Sequence, residues 1–123
     1  MTNTTAIGQQ AEEATAAQLQ ARGYKIIGRN VRTRFYELDI IAVRANRLRF
    51  VEVKYRQNVD CGDGLESIGG DKIGRLTRAV QMWLAENPNY LEYEVSLDVA
   101  SLTTAKNKKS MTIKYVSSIT DFC

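Results

Sequence analysis

Three residues within positions 36–56, YELDIIAVRANRLRFVEVKYR, have types and spacing that could do chemistry: Asp39, Glu52 and Lys54. They interrupt two apolar runs, LDIIAV and LRFVEVKY, whose Ile, Val, Phe and Tyr content is that of β-strands. The runs are joined by Arg44-Ala45-Asn46-Arg47, and Asn46 suits a tight turn, so the segment reads as a β-hairpin. With Ala45-Asn46 as a two-residue loop, Asp39 faces Glu52, Ile41 faces Phe50, Val43 faces Leu48 and Glu37 faces Lys54. Directly opposite side chains lie ~4.5–5.5 Å apart at Cβ and share a face. Alternation puts Lys54 on the face of Asp39 and Glu52, and Leu38, Ile40, Val51 and Val53 on the other.

Two carboxylates ~5 Å apart repel by roughly 3 kcal/mol at an effective dielectric of ~20. Such a pair needs a proton, a nearby cation or a bound metal. Carboxylate oxygens suit hard cations, and magnesium typically takes one or two carboxylates together with water and substrate phosphates. A lysine beside a hydrated metal can orient a water or stabilise negative charge on a phosphate. The plainer reading is a half-exposed hairpin whose charges are solvated. Aliphatic residues on both faces count against it, because they indicate strands buried on both sides.

Asp39 followed, after twelve residues, by Glu52-Val53-Lys54 resembles the D…ExK core of the PD-(D/E)xK nucleases, with Leu38 where the usual proline stands. More of the chain resembles the bacterial YraN (UPF0102) family, whose members read roughly G-x-x-G-E, G-y-x-I-L-x-x-N-x-R, G-E-I-D-L-I-A and F-V-E-V-K-x-R. The corresponding residues are Gly8 and Glu12, then Gly23-Tyr24, Ile26-Ile27, Asn30 and Arg32. Next come Glu37-Leu38-Asp39-Ile40-Ile41-Ala42 and Phe50-Val51-Glu52-Val53-Lys54-Tyr55-Arg56. Ala11 replaces the second glycine and Tyr36 the glycine before Glu37; a bulky residue there could narrow access to the site. The resemblance implies a restriction-endonuclease-like fold. It also implies a metal-dependent nuclease hydrolysing phosphodiester bonds, with magnesium or manganese on Asp39, Glu52 and the Val53 backbone carbonyl. Lys54 would then assist the attacking water.

Several other elements must position these residues. Residues 5–22 read as a helix, with Thr4 or Thr5 as cap and Gly23 as stop. Glu12 shares a stripe with Gly8, Ala16 and Leu19, a small-residue face that would turn it inward; an exposed position beside Glu13 is the alternative. In related nucleases a glutamate on the first helix joins the acidic cluster, which makes Glu12 a candidate metal ligand. Residues 24–32 read as a strand, and Arg29, Arg32 and Arg34 form a basic cluster suited to phosphates or, equally, a solvated strand edge. The glycine-rich stretch QNVDCGDGLESIGGD reads as a mobile loop that matches no nucleotide-binding fingerprint. Asp71 is positioned to cap a helix over 72–86 that Asn87-Pro88 ends, with Ile73, Leu76, Val80, Trp83 and Leu84 as its apolar stripe. Lys72, Arg75 and Arg78 recur along a neighbouring face, as phosphate contacts or as a solvated face. Residues 93–100 and 111–116 read as strands joined by a basic turn containing Lys106, Asn107, Lys108 and Lys109. Asp98 shares a face with Glu94 and Ser96 and is left out of the metal site. This order predicts an α/β three-layer αβα domain with a mixed central β-sheet.

At 123 residues, 44% hydrophobic and 25% charged, the chain is expected to form one domain over 1–123. A net charge of +3 permits a polyanionic partner without demanding one. The longest apolar runs fall short of the ~18 residues of a membrane span, and MTNTTAIGQQ lacks a secretory pattern, so a cytoplasmic location without a membrane partner is expected. Cys61 and Cys123 lie outside any C-x-x-C motif and are expected as free thiols. There is no histidine, which removes histidine-based zinc sites and imidazole bases and leaves catalysis to carboxylates, lysine and metal. The expected partner is nucleic acid, DNA in preference to RNA. Two-strand cleavage would require two sites, as a homodimer provides. The competing reading is a non-catalytic nucleic-acid-binding module of the same fold, in which the acidic trio is a remnant or a structural ion pair.

Overall fold

The first helix, α1 (Asn3–Ala21), ends because Gly23 takes φ +90°, a conformation that costs other residues strain. Tyr24 N–H then donates to Leu19 O and Gly23 N–H to Gln20 O, both at 3.0 Å, the double bond of a Schellman ending. The helix begins upstream of Thr4 and Thr5, so neither precedes it as a cap. Its buried stripe is Ala11, Thr15, Ala16 and Leu19, mostly small residues that let it lie close to the sheet. Thr15 Oγ1 donates to Ala11 O at 2.8 Å, so the buried hydroxyl is satisfied.

The computed structural model describes residues 3–57, 70–104 and 111–120. Most of the glycine-rich stretch, both cysteines and the basic turn at Lys106, Asn107, Lys108 and Lys109 lie outside them. Five strands form one sheet in the order β1 (Lys25–Arg32), β2 (Glu37–Arg44), β3 (Arg47–Gln57), β4 (Glu94–Thr104), β5 (Met111–Val116). β3 and β4 pair in parallel and every other neighbour pair is antiparallel, so the sheet is mixed. The parallel step requires a crossover, and α2 (Gly70–Glu86) supplies it. α1 covers one face, packing on Ile40, Ala42, Val51, Ala100 and Leu102. α2 covers the other, where Leu76, Ala79, Val80 and Trp83 meet Leu38, Ile41, Leu48, Phe50 and Leu97. Trp83 meets the Phe50 ring edge-on, with centroids 5.4 Å apart. The result is the expected three-layer αβα architecture, compatible with the restriction-endonuclease-like fold.

Several local expectations need correction. α2 starts at Gly70, which puts Asp71 in its first turn, where a negative charge meets the positive end of the helix dipole, and not at the cap. β4 runs four residues past Ala100, because Ala100, Ser101 and Leu102 stay buried beside the second half of β3. In the hairpin turn the positive φ (52°) falls on Ala45, not on Asn46. Leu38 packs with the α2-side cluster, so alternation fails at the start of β2.

Asp98 is fully buried, yet every charge around it is answered. Arg49 Nη1 donates to Asp98 Oδ2 at 2.8 Å, the Tyr115 hydroxyl donates to the same oxygen, and Ser118 N–H donates to Oδ1 at 2.9 Å. Arg49 Nε donates to Tyr24 OH at 2.7 Å. This network ties β3, β4 and β5 to Tyr24, the residue before β1, and as expected it keeps Asp98 out of the acidic pair described next.

Candidate active site

The β2–β3 register is the one the two-residue loop demands: Arg44 faces Arg47, Val43 faces Leu48, Ile41 faces Phe50 and Ile40 faces Val51. The ladder ends there. The next rung would pair Asp39 with Glu52, but Val53 N–H instead donates to Asp39 Oδ2 at 2.9 Å. A side chain has replaced a rung, and the strands part where the charges begin. The expected Glu37–Lys54 pair is therefore not made; Glu37 pairs with Arg32 at 3.2 Å.

Asp39 and Glu52 remain neighbours at this parting. Burial first, and then the charge of Glu52, push the Asp39 carboxyl up to about 7, while the Val53 N–H pulls the other way. Glu12 adds a smaller push. Glu52 is buried, and its Oε2 lies 3.1 Å from Lys72 Nζ at the start of α2. Lys54 is half-buried and has Lys72, Glu52 and Asp39 as electrostatic neighbours. Burial and then Lys72 hold its ammonium below the ordinary lysine range, against the opposing pull of the two carboxylates. Burial also works against a charge on Lys72, but Glu52 outweighs it and raises Lys72.

Asp39 and Glu52 line a cleft of about 710 Å³. One wall is the segment 33–37, the other the face of α2 that carries Lys72, Arg75, Arg78 and Met82. Of the basic residues expected to meet phosphates, Arg34, Lys72, Arg75 and Arg78 line this cleft. Arg29 and Arg32 do not. Arg29 is held 2.9 Å from Glu13 and lines a separate hollow with Glu12, while Arg32 is spent on Glu37. Lys54 does not line the cleft itself; its ammonium stands beside Lys72, Glu52 and Asp39, which do.

Glu12 does turn inward: its Oε1 is buried without a hydrogen-bond partner among the described residues. It nevertheless lines the neighbouring hollow, and among the described residues no three acidic, cysteine or histidine side chains gather at one point. Two features escaped the sequence reading. Phe35 is an exposed aromatic on the cleft wall, signalled only as an apolar residue within the polar run TRFYE. Tyr36 donates its hydroxyl to Glu86 Oε1 at 2.5 Å, fastening the 33–36 bend to the C-terminal end of α2. Burial and then Glu86 push that phenol up to about 12.

A three-layer αβα domain with a charged cleft where its hairpin parts is the class that fold and site define. The family model described as "Uncharacterised protein family UPF0102" matches residues 11–102, and the chain belongs to that family. It is 35% identical over 105 residues to a UPF0102 protein of Syntrophomonas wolfei, covering 85% of this chain and 90% of the relative. A relative from Kineococcus radiotolerans is 32% identical over 114 residues, 93% of each chain. One from Shewanella loihica is 41% identical over 80 residues, 65% of this chain and 70% of the relative. Among the described residues, no helix is long and apolar enough to cross a membrane.

Proposed function

We propose that this chain is a metal-dependent nuclease that hydrolyses phosphodiester bonds of nucleic acid in the cleft at Asp39 and Glu52. The observation that carries this reading is the rung given up by the β2–β3 ladder, which holds two carboxylates side by side against a cleft walled by Arg34, Lys72, Arg75 and Arg78. Two carboxylates held this close cost the fold stability when both are ionised. The donor set fits a hard cation such as magnesium or manganese: Asp39, Glu52 and the Val53 carbonyl would hold it, and the unpartnered Glu12 oxygen offers a further acceptor nearby. When bound, the cation would lower the pKa of a water and stabilise charge on a phosphoryl oxygen. Val53 N–H fixes the rotamer of Asp39, so its free oxygen is directed and not mobile. Lys54, whose charged form is disfavoured by burial and by Lys72, holds its proton less firmly than an exposed lysine and is suited to orienting an attacking water through Nζ. Arg34, Arg75 and Arg78 would seat the flanking phosphates.

The non-catalytic binding module has one observation in its favour, the Lys72–Glu52 ion pair, which already gives one carboxylate a cation. A cleavage panel over single-stranded, duplex and branched DNA and RNA, with magnesium or manganese, separates the two readings. The nuclease reading requires metal-dependent product that disappears in Asp39→Ala. It also requires Lys54→Ala to lower cleavage far more than binding. Salt-dependent binding with no cleavage of any probe, or activity that persists in both variants, rejects it in favour of the binding module.

A further inference from the structure

Phe35 is 72% exposed, a large apolar side chain left in water on the wall of a charged cleft. The bend that presents it is well fixed. Thr33 Oγ1 accepts from Phe35 N–H at 3.0 Å and from Tyr36 N–H at 3.1 Å, and Thr33 N–H donates to Tyr36 O at 2.9 Å. The Tyr36–Glu86 bond anchors the same bend to α2. Backbone and neighbours are thus tied down while most of the ring stays in water. The Arg34 guanidinium lies over the ring, 5.5 Å from its centroid. An aromatic face beside an arginine, on a wall opposite Arg75 and Arg78, is the combination of stacking surface and backbone-tracking charge that single-stranded nucleic acid uses.

Resting on the reading of the cleft as a nucleic-acid site, we propose that Phe35 is a stacking platform for an unpaired nucleotide and that the substrate class is single-stranded or end-frayed nucleic acid. The physical ground is access to a π face. Within a continuous duplex every base face is covered by its neighbours, so an exposed ring finds a partner only at an unpaired or terminal base. Apolar stacking on Phe35 and charge contacts from Arg34, Arg75 and Arg78 would then act on the same strand, base and backbone together.

The test is fluorescence anisotropy with the full chain in EDTA, using labelled DNA of equal length as single strand, blunt duplex and duplex with a single-stranded tail. The wild type is expected to favour the single strand and the tailed duplex. Phe35→Ala should weaken those two by roughly tenfold, the order of one lost base–aromatic stack, and the blunt duplex by no more than about twofold. Phe35→Trp should restore the loss, and 2-aminopurine in the single strand should lose its quenching in Phe35→Ala alone. Because the ring is solvent-exposed, the variant should keep the wild-type circular dichroism spectrum. Equal losses on all three probes, no loss on any, or a wild-type preference for the blunt duplex would overturn the inference. Phe35 would then be a contact for another protein or carry no ligand, and the nuclease reading would stand on its cleavage assay. Failure of the wild type to bind any probe would overturn the inference as well, while the nuclease reading is decided by metal-dependent cleavage.

Discussion

Replacing Asp39 with Asn should stabilise the metal-free protein, increasingly as pH rises from about 4 to about 7. The wild-type carboxyl is pushed up to about 7 from an ordinary 3.8, chiefly by burial and then by Glu52. A folded-state pKa above the unfolded value means that the protonated form is favoured in the folded chain. The stabilisation linked to that proton is fully present below the unfolded pKa, near 3.8, and is lost as pH rises through about 7. At ~1.36 kcal/mol per pH unit the full difference corresponds to ~4 kcal/mol, an upper bound. Water in the open cleft and Lys72 beside Glu52 reduce it, so about 2 kcal/mol is expected at about pH 8. Asn keeps an oxygen to accept from Val53 N–H and sheds the charge. Urea denaturation in EDTA, with m-values of ~1–3 kcal/mol/M, should place the Asp39→Asn midpoint about 1 M above the wild type at about pH 8. At about pH 5 the gap should fall to roughly a third of that, because only about 1.2 of the ~3.2 pH units between the unfolded and folded values have then been crossed. A variant no more stable at the higher pH, or a gain that does not change between the two, refutes the argument from buried like charges.

Magnesium or manganese should raise the melting temperature of the wild type, by the equivalent of ~2.7 kcal/mol at one hundred times the dissociation constant, and Asp39→Asn should blunt that response. A thermal shift series against an EDTA control reads this, and identical shifts in both chains would reject the proposed ligand set. Asp98→Ala should cost ~3–5 kcal/mol in urea denaturation, because it strands the largely buried Arg49 without its carboxylate. A loss below about 1 kcal/mol would show that water or Tyr24 already answers the Arg49 charge.

Local rules reached some of this molecule and stopped where distant elements meet. The β2–β3 register was readable because alternation in LDIIAV and LRFVEVKY permits only one pairing across a two-residue loop. The end of the ladder was not, since the choice between a backbone rung and the Asp39 carboxylate for Val53 N–H depends on how the strands diverge under the helices. Spacing put Lys72, Arg75 and Arg78 on one helical face, and that face does line the cleft. The same reasoning could not separate Arg34, which reaches the cleft, from Arg29 and Arg32, which are taken by Glu13 and Glu37. Alternation correctly kept Asp98 apart from Asp39, but its partners Tyr115 and Ser118 arrive from a strand and a tail that no local pattern links to it.

Tyr36 stands immediately before Glu37, and its bond to Glu86 shows what this side chain does physically. Without this hydroxyl the bend would keep its Thr33 bonds and lose its tie to α2. Tyr36 crosses to the end of α2 and fixes the wall on which Phe35 stands. The bulk read from the sequence forms part of the cleft wall, and its bond to Glu86 adds rigidity to the segment that carries the exposed ring. A fixed ring loses less freedom on meeting a base than a mobile one, which is how preorganisation raises affinity. The anchor and the platform are thus coupled features of one bend, and the anchor makes the exposed ring useful to a ligand.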